Sequence, residues 1–599
     1  MCSLFKLTFL LAITSLTFSY GQENLKYKIH SHNDYEQSIP LWNAYGNGVT
    51  SIEIDVFLKN DTLYVTHEPT EIKKKRTIEN LYLIPLQKTI YLQLGNQQEV
   101  QLLIDIKSEA HATLKKLVET LQNFPDLIKA ENISFVISGN RPEPELYINY
   151  PDYIQFDYQS LETISNTEIL NKIALISLPF KYFSNWNGKG RLTKDDYKKV
   201  STIIDKAHSF KKPFRFWGTP DSKTAWKTFT NLGVDFINTD VPADASKYLK
   251  TLKNRVYHNS FHSDVYKPTF ASDRKNSPVK NIILLIGDGN GLSQISSAVL
   301  ANNGELTLTQ LKSIGFIKTQ SADDFTTDSA AAGTAIATGE KTYNRAIGMN
   351  SNRKPIENIT ELLYKYQFNS GCITTDEITG ATPASFYSHQ LDRDMTNATA
   401  LDLVNSKLSL FIGGGSDTFQ NKFSKSNFSI LNSIDKIQNS KKEKVGFFFS
   451  EKDVPSMMNG RGNILAEATK KGLAFLNKKN KPFFLMVEGA KIDSYGHQNN
   501  IAGIISEGID FDTAITEAIK FADTTGNTLV IITADHETSG LSLPQGNVKE
   551  KIIEGDFTTY DHTGTMVPIF AYGPQSDKFS GIYENNKVFH KIKEVLNIK

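Results

Sequence analysis

The chain has 599 residues, of which 39% are hydrophobic and 22% are charged, and its formal net charge is +1. This composition is that of an ordinary globular protein, and the length suits two large α/β domains or up to four smaller ones. A charge balance this even gives no electrostatic footprint for nucleic acid or for an anionic membrane, so neither partner is expected.

The N-terminus has the features of a secretory signal over residues 1–21. Lys6 supplies a positive charge, and residues 7–18 form an apolar stretch that is too short to span a bilayer. Small residues precede the expected cleavage point before Gln22. The sequence therefore predicts a soluble, secreted or periplasmic protein without an integral membrane segment after cleavage. Cys372 would be its single cysteine, so no internal disulfide could form.

Residues 22–257 contain eight short β-rich runs with helical or loop segments between them. The runs are Lys26–Ser31, Thr50–Val56, Gln101–Lys107, Ile133–Gly139, Tyr153–Tyr158, Ile173–Leu178, Phe214–Gly218 and Val234–Thr239. This pattern predicts a closed (β/α)8 barrel of the TIM type, with an open doubly wound sheet as the alternative. A further run, Leu63–Thr66, would form a hairpin with the second strand.

Polar side chains lie at or just after the carboxyl ends of these strands. They include His30, His32, Glu53, Asp55, His67, Asp105 and Lys107. Because the carboxyl ends of barrel strands face one mouth, where active sites are built, we expect these residues to converge. Glu53, Asp55 and Asp105 are hard oxygen ligands suited to Mg²⁺ or Ca²⁺. Two histidines could act as general base and general acid on a phosphate, and Lys107 would balance its charge.

These motifs resemble those of the glycerophosphodiester phosphodiesterase and phosphatidylinositol-specific phospholipase C superfamily. The resemblance is carried by His-Ser-His-Asn-Asp-Tyr at 30–35, Glu-Ile-Asp at 53–55, His67-Glu68 and Ile-Asp-Ile-Lys at 104–107. It implies hydrolysis of a phosphodiester with two catalytic histidines, the second of which is His67. The His-Arg-Gly opening of bacterial members is absent, so the first is His30 or His32, and His32 is preferred because it directly precedes Asn-Asp.

Residues 258–279 predict an exposed linker. They contain Pro268 and Pro278, several polar residues and little hydrophobic periodicity. The predicted organisation is therefore a signal peptide at 1–21, a barrel at 22–257, this linker, and a second domain at 280–599.

The second domain opens with a continuous apolar run of the kind buried in a parallel sheet, Asn281–Gly287, which ends in Asp288. Three later runs, Phe483–Val487, Leu529–Thr533 and Ile569–Tyr572, are interpreted in the same way. Ligands of open α/β sheets bind outside the carboxyl ends of the strands. The residues expected to converge there are Asp288, Glu488, Asp535 and His536, joined by Asp493, His497 and His562. Mixed Asp/His sets suit Zn²⁺.

Ser329 follows an acidic residue and opens an alanine-rich run with strong helix propensity. Its hydroxyl is therefore expected at a helix N-terminus, where free N–H groups and the helix dipole favour an anion. A serine that merely caps the helix is the alternative. An unassisted serine is a poor nucleophile and needs a base or a metal, which the predicted ligands could supply.

Taken in order, the motifs of the second half resemble those of the alkaline phosphatase family. The resemblance implies an α/β/α sandwich, Ser329 as the phosphorylated nucleophile and Arg393 as a phosphate clamp. It implies one zinc held by Asp493, His497 and His562, a second zinc held by Asp288, Asp535 and His536, and a magnesium held by Asp288, Thr382 and Glu488. Gly380 stands where the best-known bacterial members have an Asp that assists the magnesium. A homodimer would also fit the resemblance.

The sequence thus predicts an exported, metal-dependent phosphoesterase acting on small-molecule phosphate monoesters and diesters. The second domain would hydrolyse monoesters that the barrel releases from glycerophospho- or related diesters. In one alternative the barrel is a non-catalytic module that binds lipid headgroups or polymers. In another the second domain is mainly a diesterase or a sulfatase.

Overall fold

The structure is a computed structural model that describes residues 27–599, without the side chains of Asn96, Gln97 and Lys425. The predicted signal peptide at 1–21 lies outside the described residues. Contacts divide the chain into two compact units, Met1–Thr251 and Leu252–Lys599. Within the described range, no helix has both the length and the apolar character needed to cross a membrane.

The first unit is built on a closed barrel of eight parallel strands, which confirms the predicted fold. Its strands are β1 (Lys28–Ser31), β2 (Ser51–Lys59), β3 (Thr62–Val65), β4 (Val100–Ile106), β5 (Ile133–Gly139), β6 (Ile154–Tyr158), β7 (Ile173–Pro179), β8 (Phe214–Trp217) and β9 (Phe236–Thr239). The sheet closes because β1 pairs with both β9 and β2 in parallel. Strand β3 is antiparallel to β2 and forms the predicted hairpin.

Helices connect the barrel strands and cover the outside of the sheet, as expected for alternating strand and helix signals. They are α1 (Trp42–Gly46), α2 (Ile84–Tyr91), α3 (Ala110–Leu121), α4 (Pro125–Lys129), α5 (Thr167–Asn171), α6 (Lys194–His208), α7 (Lys223–Leu232) and α8 (Pro242–Lys250). Local sequence sets several of their ends. The Ser222 hydroxyl accepts the N–H of Ala225 at the start of α7, and Gly233, with φ 85°, ends that helix.

The second unit has a ten-stranded central sheet and two small sheets. Its strands are β10 (Val256–His258), β11 (Asn281–Gly287), β12 (Ser313–Lys318), β13 (Asn369–Glu377), β14 (Leu410–Gly414), β15 (Phe428–Ile430), β16 (Lys444–Phe448), β17 (Phe483–Gly489), β18 (Thr528–Ala534), β19 (Glu537–Thr538), β20 (Ser542–Asn547), β21 (Ile552–Asp556), β22 (His562–Thr563), β23 (Val567–Tyr572) and β24 (Gly581–Glu584). The central sheet has the order β15-β16-β14-β13-β17-β11-β18-β23-β12-β24.

Helices cover both faces of the central sheet. They are α9 (Leu252–Arg255), α10 (Leu292–Ala301), α11 (Ser329–Thr338), α12 (Ile359–Lys365), α13 (Ala381–Ala384), α14 (Thr396–Asn405), α15 (Ile464–Asn477), α16 (Lys491–His497), α17 (Ile501–Thr525) and α18 (Lys587–Val595). Strand β11 shows why its sequence is apolar throughout. Ile283 and Leu285 join the core with α10, α15 and α17, whereas Ile282, Leu284 and Ile286 join the core with α11, α12 and α18. The predicted α/β/α sandwich is confirmed.

Strand β23 differs from the prediction because it runs antiparallel to β18. A parallel return requires a crossover of a dozen or more residues that is usually helical. The chain between β18 and β23 contains only the short strands β19 to β22. Its apolar sequence reflects burial on both faces and carries no information about direction.

The segment predicted as an exposed linker, 258–279, is instead packed within the second unit. Strand β10 pairs with β21, and the Asn259 side chain is buried. Tyr266 donates its hydroxyl to Asp523 on α17 at 2.8 Å, and Thr269 donates to the same carboxylate. The polar composition that suggested a tether therefore serves hydrogen bonds to the body of the unit.

Candidate active sites

Ser329 is the first residue of α11, as its sequence context predicted. The Asp328 carboxylate caps this helix by accepting the N–H of Ala331 at 2.9 Å. Ser329 is 4% exposed, and its Oγ lies 3.3 Å from Nε2 of His536. The Ser329 hydroxyl therefore lies at a helix N-terminus, which favours a bound anion. It also lies beside His536, a residue of a type that binds metals and that comes from another part of the chain.

The sheet register brings the strand-end residues of the second unit together. Strand β11 pairs in parallel with β17 on one side and with β18 on the other. Gly287 at the end of β11 is level with Gly489 and with Ala534. Asp288, Glu488 and Asp535 therefore leave neighbouring strands at the same edge of the sheet.

A first ligand group consists of Asp288, Asp535 and His536, whose candidate ligand atoms lie within 4.8 Å of one another. Nε2 of His536 is 3.4 Å from Oδ1 of Asp288 and 3.3 Å from Oδ2 of Asp535. Both carboxylate oxygens are buried and have no hydrogen-bond partner in the described part of the chain. Buried oxygens in this condition are costly unless a cation completes their environment, so the group fits a metal.

A second ligand group surrounds Asp493. Its Oδ2 lies 3.3 Å from Nε2 of His497, and its Oδ1 lies 3.5 Å from Nε2 of His562. Each of these histidines faces a backbone carbonyl with Nδ1: His497 faces Tyr560 O at 2.6 Å, and His562 faces Thr327 O at 2.8 Å. An Nδ1–H that donates to a carbonyl leaves Nε2 free as a ligand.

The two ligand groups are contiguous, and one residue near them was not singled out from the sequence. His536 and His562 also form a ligand-type group with Asp493, and Asp561 forms one with His497 and His562. Asp561 is adjacent in sequence to His562, which is the signal that could have identified it.

Electrostatics in these groups indicate a site built for positive charge. Burial and the neighbouring Asp535 charge raise the pKa of Asp288 well above its ordinary value. Burial also raises the pKa of Asp535 to about 6. The hydrogen bond to Asp493 raises the pKa of His497 to about 9. These pKa shifts favour a proton on Asp288 and on His497 at neutral pH, and a divalent metal would replace such protons.

Of the residues expected to hold magnesium, Asp288 belongs to the first ligand group, and the charge of Glu488 acts on Asp288. Glu488 is 1% exposed and accepts a hydrogen bond from the Thr374 hydroxyl, and Thr382 is also buried. Burial and the nearby charge of Asp376 raise the pKa of Glu488 to about 8. A Cβ on Gly380 would come within 2.6 Å of Oδ2 of Asp376, so the Asp376 carboxylate adjoins the place where the family pattern has its acid.

Arg393 faces the N-terminus of α11 from a neighbouring loop. Its Nη1 donates to Oδ2 of Asp328 at 3.1 Å. Burial lowers the pKa of Arg393, but the Asp328 and Asp288 charges outweigh burial and raise it overall. The guanidinium is therefore positively charged beside Ser329, as phosphate binding would require.

The mouth of the barrel contains the predicted carboxylates. Candidate ligand oxygens of Glu53, Asp55 and Asp105 lie within 4.8 Å of one another. Oδ1 of Asp55 is buried and has no hydrogen-bond partner in the described range. Lys107 Nζ lies 3.3 Å from Asp55 and 3.2 Å from Asp105. A Cβ on Gly139, where φ is 68°, would lie 2.0 Å from Oδ1 of Asp105, so this position requires glycine.

The structure distinguishes the two candidate histidines of the first strand. His30 is fully buried, with Nδ1 2.7 Å from the Ser51 hydroxyl and Nε2 2.8 Å from Glu53. Burial and the Arg215 charge lower the pKa of His30 to about 3. His32 is partly exposed, with Nδ1 2.6 Å from Asp240 and Nε2 3.7 Å from Glu53. Of these two histidines, only His32 is both accessible to solvent and close to the carboxylates.

His67 reaches the same carboxylates from the hairpin side. Its Nδ1 lies 2.6 Å from Oδ2 of Asp55, and the side chain is 53% exposed.

Two other groups at the barrel mouth have shifted pKa values. Burial lowers the pKa of His32, but its hydrogen bond to Asp240 and the Glu53 charge outweigh burial and raise it overall. Burial and the Glu53 charge raise the pKa of Asp105 to about 6.

Arg215 is a buried member of the barrel site that sequence reasoning missed. It is 2% exposed, and its Nη1 donates to Oε2 of Glu53 at 2.5 Å and contacts His30. Burial raises the pKa of Glu53, but the Arg215 charge, together with the hydrogen bond to His30 and the nearby His32, outweighs burial and holds this pKa well below its ordinary value. The signal was available: Arg215 is the one charged residue of β8, the strand Phe214–Trp217.

Comparisons with known proteins match both units. Residues 279–431, 417–556 and 547–598 match the family model described as alkaline phosphatase. Residues 21–94 match the AIM6-like phosphodiesterase domain, and residues 213–243 match the glycerophosphoryl diester phosphodiesterase family.

Relatives and solved structures agree with the match in the second unit. Alkaline phosphatase 3 of Bacillus subtilis (strain 168) is 30% identical over 416 residues, which covers 54% of this chain and 90% of the relative. Alkaline phosphatase of Escherichia coli (strain K12) is 31% identical over 413 residues, which covers 54% of this chain and 87% of the relative. The structure of alkaline phosphatase from the Antarctic bacterium TAB5 has 42% identity and a TM-score of 0.52, and the match covers 54% of this chain and all of that chain.

Proposed function

The chain belongs to the alkaline phosphatase family and is a phosphoric monoester hydrolase, and we propose that Ser329 is its nucleophile. The observation that carries this assignment is the Ser329 hydroxyl at the start of α11, 3.3 Å from His536, beside two ligand groups. Oγ would form a bond to phosphorus while the bond from phosphorus to the ester oxygen breaks. Water would then hydrolyse the phosphoserine and release phosphate.

Metal cofactors are implied by the family, and a variant of the TAB5 enzyme was solved with magnesium bound. We assign one zinc to Asp493, His497 and His562, a second zinc to Asp288, Asp535 and His536, and a magnesium to Asp288, Thr382 and Glu488. The unpartnered buried carboxylate oxygens of Asp288 and Asp535 support this assignment. Bound metals would supply electrophilic stabilisation of the entering and leaving oxygens and lower the pKa of the attacking hydroxyl.

The remaining groups of the site would bind and orient the phosphate. Arg393 would donate two parallel N–H groups to phosphate oxygens and exchange part of its contact with Asp328 for the substrate. The free N–H groups at the start of α11 would bind an oxygen along the helix dipole. Both interactions strengthen as charge accumulates on the phosphoryl oxygens, which is the requirement for transition-state stabilisation.

For the barrel we propose hydrolysis of a phosphodiester. Glu53, Asp55 and Asp105 would hold Mg²⁺ or Ca²⁺, which would neutralise charge on the phosphate. Lys107, held between Asp55 and Asp105, would contact a phosphate oxygen. His32 and His67 approach the carboxylates from different elements and would act as general base and general acid.

The two activities would act in sequence on glycerophospho- or related diesters, with the barrel releasing a monoester that the second unit dephosphorylates. The alternative, a barrel that only binds lipid headgroups or polymers, gives no role to the carboxylate cluster of Glu53, Asp55 and Asp105 beside His32 and His67. Export and dimerisation stay predictions from the sequence and the resemblance.

Phosphate release from a glycerophosphodiester tests the proposal. We expect Ser329→Ala to accumulate the phosphomonoester and His32→Ala to leave the diester intact. His111→Ala, an exposed histidine at the start of α3, is the matched control and should behave as wild type. Phosphate release by His32→Ala at the wild-type rate would reject the diesterase and favour the binding module. Monoester turnover by Ser329→Ala would reject the nucleophile.

A further inference from the structure

Arg345 lies on the loop that follows α11 and forms an exposed cluster with two acidic residues. Its Nε donates to Oδ2 of Asp392 at 2.8 Å, and its Nη2 donates to Oδ1 of Asp392 at 2.8 Å. Nη2 also donates to Oδ2 of Asp394 at 2.5 Å. Asp392 and Asp394 are the immediate neighbours in sequence of Arg393, so one guanidinium holds the carboxylates on both sides of the candidate phosphate ligand.

The backbone of Arg345 makes two further contacts in the same region. Its N–H donates to Oδ1 of Asp328 at 3.0 Å, and its carbonyl accepts the N–H of Arg393 at 2.8 Å. Asp328 also caps α11 and binds Arg393 through its other oxygen. Arg345 therefore links the helix cap next to Ser329 with the backbone of Arg393.

The backbone conformation of Arg345 is unusual for a residue with a side chain. Its φ is 75°, which non-glycine residues adopt at a cost in energy. Glycine would adopt this φ without the steric cost that a Cβ brings. Arginine stands here nonetheless, and its side chain pairs with both acids.

We propose that Arg345 is a positioning residue that keeps Asp392 and Asp394 away from the Arg393 guanidinium. If Arg345 were absent, two unpaired carboxylates would flank Arg393 and compete with phosphate for its N–H donors. The pairing leaves Arg393 with Asp328 as its one close carboxylate partner among the described ion pairs. The inference rests on the proposed role of Arg393 in phosphate binding.

Competitive inhibition by inorganic phosphate measures this effect in the full-length, metal-loaded enzyme. We expect Arg345→Ala to raise the inhibition constant about three- to tenfold at low ionic strength, with a smaller effect at high salt. The melting temperature should hardly change, because exposed ion pairs contribute little to stability. Replacing both acids in the same chain, as R345A/D392N/D394N, should return the constant to within about twofold of wild type.

Two variants separate the side chain from its backbone. Arg345→Gly accepts the positive φ without strain, so it should lose phosphate affinity as Arg345→Ala does. Arg353→Ala is the matched control, because Arg353 also has a positive φ, 59°, on the same loop but stacks on Tyr343 at 5.8 Å instead of binding the two acids. Its inhibition constant should equal that of wild type.

The outcomes distinguish this inference from the function on which it rests. Arg393→Ala should raise the inhibition constant more than Arg345→Ala does. If Arg393→Ala leaves the constant unchanged, the phosphate role of Arg393 is wrong, and the positioning role falls with it. If Arg393→Ala raises the constant while Arg345→Ala does not, only the positioning role is overturned. A triple variant as impaired as Arg345→Ala would also overturn it, because the acids would then not be the cause.

Discussion

The ion pair between Arg215 and Glu53 gives a quantitative test of how the barrel tolerates charges in its interior. Both side chains are buried, at 2% and 4% exposure, and Nη1 and Oε2 are 2.5 Å apart. At an effective dielectric constant of about 20, a pair at this distance attracts by about 7 kcal/mol. Desolvation of the two charges offsets much of this attraction.

Arg215→Met would remove the guanidinium partner of Glu53 and leave this buried carboxylate with His30 at 2.8 Å and His32 at 3.7 Å as its remaining partners. Loss of one member of a buried pair costs about 3–5 kcal/mol, and we expect a destabilisation of the first unit in that range at neutral pH. The Arg215 charge holds the pKa of Glu53 below its ordinary value, so the stabilisation is present above the unfolded pKa of about 4.3 and lost as pH falls towards the folded pKa. The cost of Arg215→Met should therefore shrink in acid.

Tryptophan fluorescence during urea unfolding is a suitable assay, because all four tryptophans of the chain lie in the first unit. Phosphatase activity on an aryl phosphate serves as the internal control and should persist, since its residues belong to the second unit. The double variant Arg215→Met/Glu53→Gln should be more stable than the sum of the single variants predicts, by about 2 kcal/mol or more. Additive single effects, or a change below about 0.5 kcal/mol for Arg215→Met, would refute the reasoning.

Three further predictions concern the second unit. Burial raises the pKa of Asp510, beside Arg461 and Glu507, to about 7, so the folded state holds a proton that the unfolded chain has released. Between about pH 4 and 7 this group lowers stability as pH rises, by up to about 1.4 kcal/mol per unit, and Asp510→Asn should flatten that trend in thermal unfolding. Removal of metal by a chelator should lower the melting temperature of the second unit, since metal at a thousandfold excess over its Kd stabilises by about 4 kcal/mol; an unchanged temperature would contradict the ligand assignment. Cys372 is buried and burial raises the pKa of its thiol, so with Cys2 replaced by serine no thiol should react with iodoacetamide before unfolding.

Sequence patterns were sufficient for the architecture because each unit repeats one local rule. Short apolar runs separated by helical segments specify parallel strands, and polar residues just beyond those runs specify one functional edge. The eight barrel strands and four of the ten strands of the central sheet, β11, β17, β18 and β23, were therefore predicted to within a few residues. Strand direction was not encoded in the same way, and the apolar run at β23 was misassigned because burial on both faces is independent of direction.

The sequence by itself determined which residue types stand at the strand ends, and hence that Asp288, Asp535 and His536 would converge. Only the tertiary structure decided which candidate residues are buried, which are accessible and which distant residues contact them. It buried His30 against Ser51 and Glu53 and left His32 accessible. Two identical residues two positions apart do not show this difference in the sequence. It also brought Arg215 to Glu53 across 162 positions and Arg345 to the neighbours of Arg393. Such pairings depend on loop paths and side-chain reach, which local patterns do not specify.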